Sequence, residues 1–424
     1  MAKTRAATIR KYGAELEIMV RDVRKWITES DSEITDEDLL RRCEDVFFSS
    51  GLASVTGSGE IVTIIDGMYR RLSSRYGILS ELLDDPRINE IMVNGPGRIY
   101  IEKDRALHRV DDAFTSCGEL EEMIRMFASD VHREINEANP IVDARLPSGY
   151  RINGVLRNVA LNGPILTIRK FREKEIEMEE LVGCASLSKQ CAEDLAALVH
   201  CGYNIFISGG TSSGKTTFLN ALTAFIGSGE RVITIEDSAE LVISHIENKV
   251  QMECRAANSI GKGEVSMTQL IRTSLRMRPD RIIVGEVRGR EVIDMIQAMN
   301  TGHDGSMSTG HGNSIKGMLN RLETMYLADS NVSISSVRNQ IANAIDIFVH
   351  LKRDARGNRR VEEVAEMTGF DGADYKLNYL YRAGLDGILR PTGNGLRDRE
   401  RLIRGGCGSM LAGEQERMES GEAV

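Results

Sequence analysis

Residues 204–219 read NIFISGGTSSGKTTFL, and this stretch constrains the chain more than any other. Gly209, Gly214, Lys215 and Thr216 satisfy the G-x-x-x-x-G-K-[ST] phosphate-binding pattern, with a short apolar strand before it and a helical pattern after it. Triphosphate oxygens need several convergent N–H donors. Gly209, Gly210 and Gly214 let the backbone through Thr211, Ser212 and Ser213 curl into such a nest, and the helix opening at Lys215, Thr216 and Thr217 aims its positive end at the same charge. Lys215 is placed to reach the β- and γ-phosphates, and the Thr216 hydroxyl to hold Mg²⁺. A plain Gly/Ser turn between strand and helix would not need a lysine followed by two threonines.

The chain has 424 residues, long for one domain, and carries a formal net charge of −9, so no global basic field draws it to nucleic acid or anionic lipid. Its seven cysteines form no C-x-x-C pair, which argues against a zinc site or a disulfide framework and for reduced thiols in a cytoplasmic protein. No segment approaches the roughly 20 apolar residues of a membrane span, so membrane association is expected only through a partner.

Tyr12, Leu16, Met19, Val23 and Trp26 make one apolar stripe of a helix ending near Glu29. Thr35 with Asp38 resembles a capping box for a second helix stopping at Gly51, and a third helix is expected from Ile61 to Leu72. Residues 1–75 thus read as a helical segment. Residues 76–172 read as an α+β domain: Ile91, Val93, Ile99 and Ile101 alternate about the Asn94–Gly97 turn, a helix follows near Cys117 to Ala128, and Ile141 to Phe171 reads as strands bearing Arg145, Arg151, Arg157, Arg169, Lys170 and Arg172. Residues 173–186 look like a linker. In 187–400, strands alternate with helices, which indicates an α/β domain with a mainly parallel sheet: a helix capped by Ser188, then strands at Arg231–Ile235, Arg281–Val284, Gly305–Thr309 and Ile345–Leu351. Residues 401–424 are Gly-rich, charged and poor in apolar residues, so a mobile tail is expected.

Four segments accompany the phosphate loop. Glu236 and Asp237 end one strand and Glu286 another; carboxylates at the carboxyl ends of parallel strands lie where ligands bind in such sheets. They can hold Mg²⁺ through water or polarise the attacking water. His303 and His311 bracket a strand of small residues, a spacing that could set an imidazole beside a γ-phosphate. The arginines Arg272, Arg276, Arg278 and Arg288, with the remote Arg145, Arg151 and Arg169, could stabilise charge in phosphoryl transfer, although most are expected to be ordinary surface or ion-pair groups.

The segments Ile233–Asp237, Met277–Arg288 and Met299–Gly305 resemble the aspartate box, Walker B and histidine box of type II/type IV secretion ATPases. Leu82–Pro86, Glu90–Gly95 and Ile141–Pro147 are similar to the CpaF-type ATPases of tight-adherence (Flp) pili. The resemblance covers about residues 76–350. It implies a homohexameric ring of subunits, each with a PAS-like α+β domain before a RecA-like domain and ATP at their cleft. It further implies Lys215 and Thr216 on phosphate and Mg²⁺, Glu286 as general base, Glu236 and Asp237 assisting metal or water, and Thr216, Glu236 and Glu286 as the candidate metal set. His303 and His311 would sense the γ-phosphate, and Arg145, Arg151 and Arg169 would approach it from the N-terminal domain. Pilin assembly or a related export at an inner-membrane platform protein is the implied work, with pilus retraction or DNA-transfer export as the alternative. A nucleic-acid motor is disfavoured by the acidic balance, and a small-molecule kinase by the basic strip. Ser212 replaces a usual glycine, which stiffens the loop, and Gly310 and Gly312 flank His311, which adds backbone freedom there.

Overall fold

Thr35 opens its helix as a reciprocal cap: its hydroxyl accepts from the Asp38 amide, and the Asp38 carboxylate accepts from the Thr35 amide at 3.2 Å. Such local chemistry places most elements within a few residues of their expected bounds in the computed structural model, which describes residues 5–30, 34–104, 106–170, 176–255, 257, 262–330, 332–354 and 357–411. Arg172, the start of the expected linker and the last thirteen residues lie outside these. The chain divides into two units, Met1–Arg172 and Glu173–Val424.

In the first unit, helices Arg5–Lys11, Gly13–Glu29, Asp36–Ser49 and Ser58–Leu72 close over Leu16, Met19, Val23, Phe47, Ile64 and Met68. Gly67 is what admits the first of them: a Cβ there would lie 2.8 Å from Ile9 Cδ1. The bundle is tied to the rest of its unit by the buried Arg71, which donates to Glu119 at 2.7 Å and to the Ala113 carbonyl at 2.7 Å. That remainder is a six-stranded antiparallel sheet of β1 (Ile88–Asn94), β2 (Ile99–Lys103), β3 (Ala106–Arg109), β4 (Ile141–Arg145), β5 (Arg151–Val155) and β6 (Ile165–Arg169), in the order β3-β2-β1-β6-β5-β4. Alternation sends Ile91, Val93, Ile152 and Ile168 to the face covered by helix Cys117–Asp130, whose Ile124 reaches Gly154. The opposite face carries Arg145, Arg151 and Arg169 side by side, since Arg145 pairs with Arg151 and Arg151 with Arg169.

The second unit is built on nine strands: β7 (Ile205–Gly209), β8 (Val232–Glu236), β9 (Lys249–Glu253), β10 (Arg281–Val287), β11 (Met307–His311), β12 (Ile347–Arg353), β13 (Arg359–Phe370), β14 (Tyr375–Ala383) and β15 (Leu389–Pro391). Their order is β15-β14-β13-β12-β7-β11-β10-β8-β9, with every pair from β12 to β9 parallel and the other three antiparallel. Apolar cores fill both faces, as a parallel sheet requires. This is the α/β, RecA-like arrangement expected from the alternation of strands and helices.

Two expectations are corrected. A helix, Met178–Gly183, stands within the stretch read as linker, and Met178 is buried in the core of the second unit. Residues 401–411, read as part of a mobile tail, are fastened down. A short helix Glu400–Arg404 buries Leu402 completely, and Leu411 is buried beyond it. The buried Glu366 carboxylate accepts from the Arg397 and Asp398 amides, and Arg401 lies over the Tyr203 ring, 4.1 Å from its centroid, while donating to the Gly202 carbonyl. A few apolar anchors and buried hydrogen bonds outweigh a polar composition. Among the described residues, no helix is long and apolar enough to cross a membrane.

Candidate nucleotide-binding site

Every residue of β7 is buried, and the strand delivers its carboxyl end to the phosphate loop. Gly209 cannot be replaced there, because a Cβ would lie 2.5 Å from Ser213 Oγ and 2.6 Å from the Leu351 carbonyl oxygen. Gly214 has φ +93° and caps the helix Lys215–Thr223. Ser212 also sits in the left-handed region at φ +57°, which for a residue with a Cβ costs on the order of 1–2 kcal/mol. The serine thus carries backbone strain at a position that suits glycine. Thr211 is exposed at the loop crest, while Thr216 and Thr217 lie half-buried in the first helical turn.

β11 runs between β7 and β10, and its last residue, His311, pairs with Gly209. The Gly312 amide donates to the Gly209 carbonyl at 3.2 Å, so the loop bearing His311 is bonded to the phosphate loop. Lys215 Nζ lies 3.3 Å from His311 Nδ1 and donates to the Gly210 carbonyl at 3.2 Å. An ammonium can only donate, so Nδ1 presents its lone pair and the ring proton sits on Nε2. Nε2 is 2.8 Å from Glu286 Oε1 but off the line of a hydrogen bond, which leaves that buried oxygen without an aligned donor. Glu286 Oε2 accepts from Arg288, at 2.7 Å from Nη2 and 3.1 Å from Nε, and Arg288 also reaches Asp237 at 3.4 Å.

Burial lowers the pKa of Lys215, with Arg288 and Arg321 adding to the effect and Glu286 opposing it. Burial and then Lys215 lower that of His311, which keeps the imidazole neutral. Arg321, on helix Ile315–Leu327, acts on both groups, and no motif in the sequence points to it. His350, likewise outside every motif, packs directly beneath the loop.

Gly310 and Gly312 do not loosen the strand. A Cβ on Gly310 would come within 2.8 Å of Met318 Cε and one on Gly312 within 3.1 Å of Met318 Cβ, so both glycines make room for the helix that packs behind His311. His303 is not with His311. It precedes β11, with Nδ1 3.1 Å from the Ala298 carbonyl, at the amino end of the sheet; the strand itself spans roughly 13 Å at about 3.3 Å per residue. A γ-phosphate sensor must stand at the carboxyl end, so His303 is withdrawn from the site. Glu236 is at the right end but points elsewhere: buried, it packs on Gly285, and its carboxylate accepts from the Glu240 and Leu241 amides at 2.9 and 3.1 Å. It ties the loop after β8. Asp237 remains half-exposed beside Arg288.

Arg145, Arg151 and Arg169 belong to the first unit, where Arg151 binds Asp143 through two 3.2 Å bonds and Arg145 donates to the Gly149 carbonyl. Arg272 is held by Asp294 in an ion pair at 2.8 Å.

Curled backbone amides, a buried lysine and a carboxylate oxygen with no aligned donor, all at the carboxyl end of one parallel sheet, suit a polyphosphate and a water to be activated. The fold and site define a P-loop ATPase. Residues 73–376 match the family described as type II/IV secretion system protein, and the chain belongs to that family. It is 32% identical over 322 residues to the conjugal transfer protein TrbB of Rhizobium radiobacter, covering 74% of this chain and 94% of that one. It is 32% identical over 298 residues to the type IV secretion system protein PtlH of Bordetella pertussis, covering 64% of this chain and 88% of that one. Its fold is similar to that of the pilus retraction motor PilT crystallised with ADP, with a TM-score of 0.52 at 20% identity over 78% of this chain and 87% of that one.

Proposed function

We propose that the protein is the ATP-hydrolysing motor of a type IV secretion or pilus machine. The observation that carries this is the buried Glu286 Oε1, which lacks an aligned donor and stands at the end of the row Lys215, His311, Glu286. In this reading the amides of residues 209–215 and Lys215 bind the phosphates, and Glu286 takes a proton from the attacking water. Neutral His311, bonded to Lys215 and adjoining Glu286, registers whether the γ-phosphate is present. Mg²⁺, when bound, would neutralise charge on the β- and γ-phosphates, with Thr216 and Glu286 as the residues that fit it. Arg145, Arg151 and Arg169 act on the γ-phosphate from the first unit, and a homohexameric ring converts that contact into movement against an inner-membrane platform protein. Steady-state hydrolysis by the full-length chain and by Lys215→Ala tests the catalytic reading.

Two cargoes fit. Assembly of Flp-type pilin rests on the resemblance carried by Leu82–Pro86, Glu90–Gly95 and Ile141–Pro147. DNA-transfer or protein export rests on similarity to a conjugal transfer protein and a type IV secretion protein. Co-purification of the endogenous partner separates them: a pilin platform supports the first, a DNA-processing or effector-export complex the second.

A further inference from the structure

The phosphate loop is held from below by a residue in no recognised motif. His350, on β12, pairs in register with Ser208 on β7, the residue that precedes Gly209, and is 2% exposed. Its Nδ1 lies 2.8 Å from Ser208 Oγ. Ser208 is in turn paired with Gly310 of β11, the residue before His311. With the ring proton on Nε2, on the side of Glu362, Nδ1 accepts the Ser208 O–H. The charged groups facing the ring are Glu362 of β13, 3.7 Å from Nε2, and Lys352 of β12, which donates to Glu362 at 2.6 Å. Burial keeps the ring neutral.

We propose that His350 is a positioning residue for hydrolysis: it bonds β12 to Ser208 on the strand that carries the phosphate loop, which pairs with β11 beside His311, and so sets the Lys215–His311–Glu286 row. The buried ring is placed to touch neither phosphate nor water and acts through Ser208. Because a misplacement of about 1 Å can cost on the order of a hundredfold in rate, a loosened row should lower turnover while the amides that bind the nucleotide stay in place.

The inference rests on the ATPase reading, and its test is made on the full-length chain with His350→Gln, His350→Phe and Ser208→Ala. Phe fills the volume without hydrogen bonds, whereas Gln keeps one donor and one acceptor. His350→Phe and Ser208→Ala should each lower kcat about tenfold with KM for ATP and the affinity for a fluorescent ADP analogue within about twofold of the parent, and Gln should recover most of the loss. The double variant should lose no more than either single one, since both break the same bond. Parental kcat in His350→Phe, or kcat and ADP affinity falling together, would overturn the role. If His350→Phe does not fold, Ser208→Ala decides, and parental turnover there refutes it. A parent chain without turnover would instead sink the ATPase reading.

Discussion

His311 Nε2 lies 2.8 Å from Glu286 Oε1, and the other face of the same ring meets Lys215 at 3.3 Å. One neutral imidazole therefore adjoins both the cation that binds phosphate and the carboxylate that activates water. β11 makes this possible by lying between the strand of the loop and the strand of the carboxylate.

Lys215→Ala should abolish hydrolysis while leaving the fold intact, because the phosphates lose their cation and the core of the second unit lies elsewhere. Phosphate release and circular dichroism on the purified variant check it; turnover near the parent's in a folded protein would remove Lys215 from the chemistry.

The pH dependence follows from His311. Its pKa is lowered from the ordinary 6.5, so the folded state binds fewer protons than the unfolded chain just below that value. The stabilising neutral form is fully present above pH 6.5 and is lost as pH falls through the lowered folded value. Hydrolysis should be level between pH 7 and 8 and decline only below 6.5, and His311→Gln should remove that decline. An acid limb centred above 6.5, or one that survives in the variant, would contradict it.

Much of this was legible in the chain because the deciding physics is local. A phosphate loop needs glycines and a lysine at set spacing, and Thr35 and Ser188 cap helices whatever surrounds them. What was illegible depends on where strands begin and side chains turn. His303 and His311 are equivalent by spacing, and only the start of β11 at Met307 separates them to opposite ends of the sheet. Glu236 and Glu286 both end strands, yet one carboxylate is spent on loop amides. His350 meets a partner 142 residues earlier in the chain. The Gly-rich segment near the end concealed Leu402 and Leu411, whose burial composition does not show.

Leu402→Ala tests that segment. Removing a fully buried leucine should destabilise the second unit by about 2 to 5 kcal/mol, seen as a lower unfolding temperature. An unchanged transition would mean that residues 400–411 do not contribute to the core.

Arg151 and Arg169 are cross-strand neighbours on the face of the six-stranded sheet opposite helix Cys117–Asp130. If they meet the γ-phosphate, Arg151→Ala and Arg169→Ala should leave ADP affinity nearly unchanged and lower the hydrolysis rate by about 10³-fold, the scale of an arginine finger. Unchanged rates would reduce them to solubilising charges, and equal weakening of ADP and ATP to ordinary binding groups.

Glu286→Gln keeps the side-chain shape and removes the base. Rapid mixing of this variant with labelled ATP, followed by separation of bound nucleotide and acid quenching, measures binding and cleavage in one experiment. Bound, uncleaved ATP with a cleavage rate about 10² to 10⁴-fold below the parent's is the expected result; cleavage at the parental rate would contradict the assignment of Glu286 as the base.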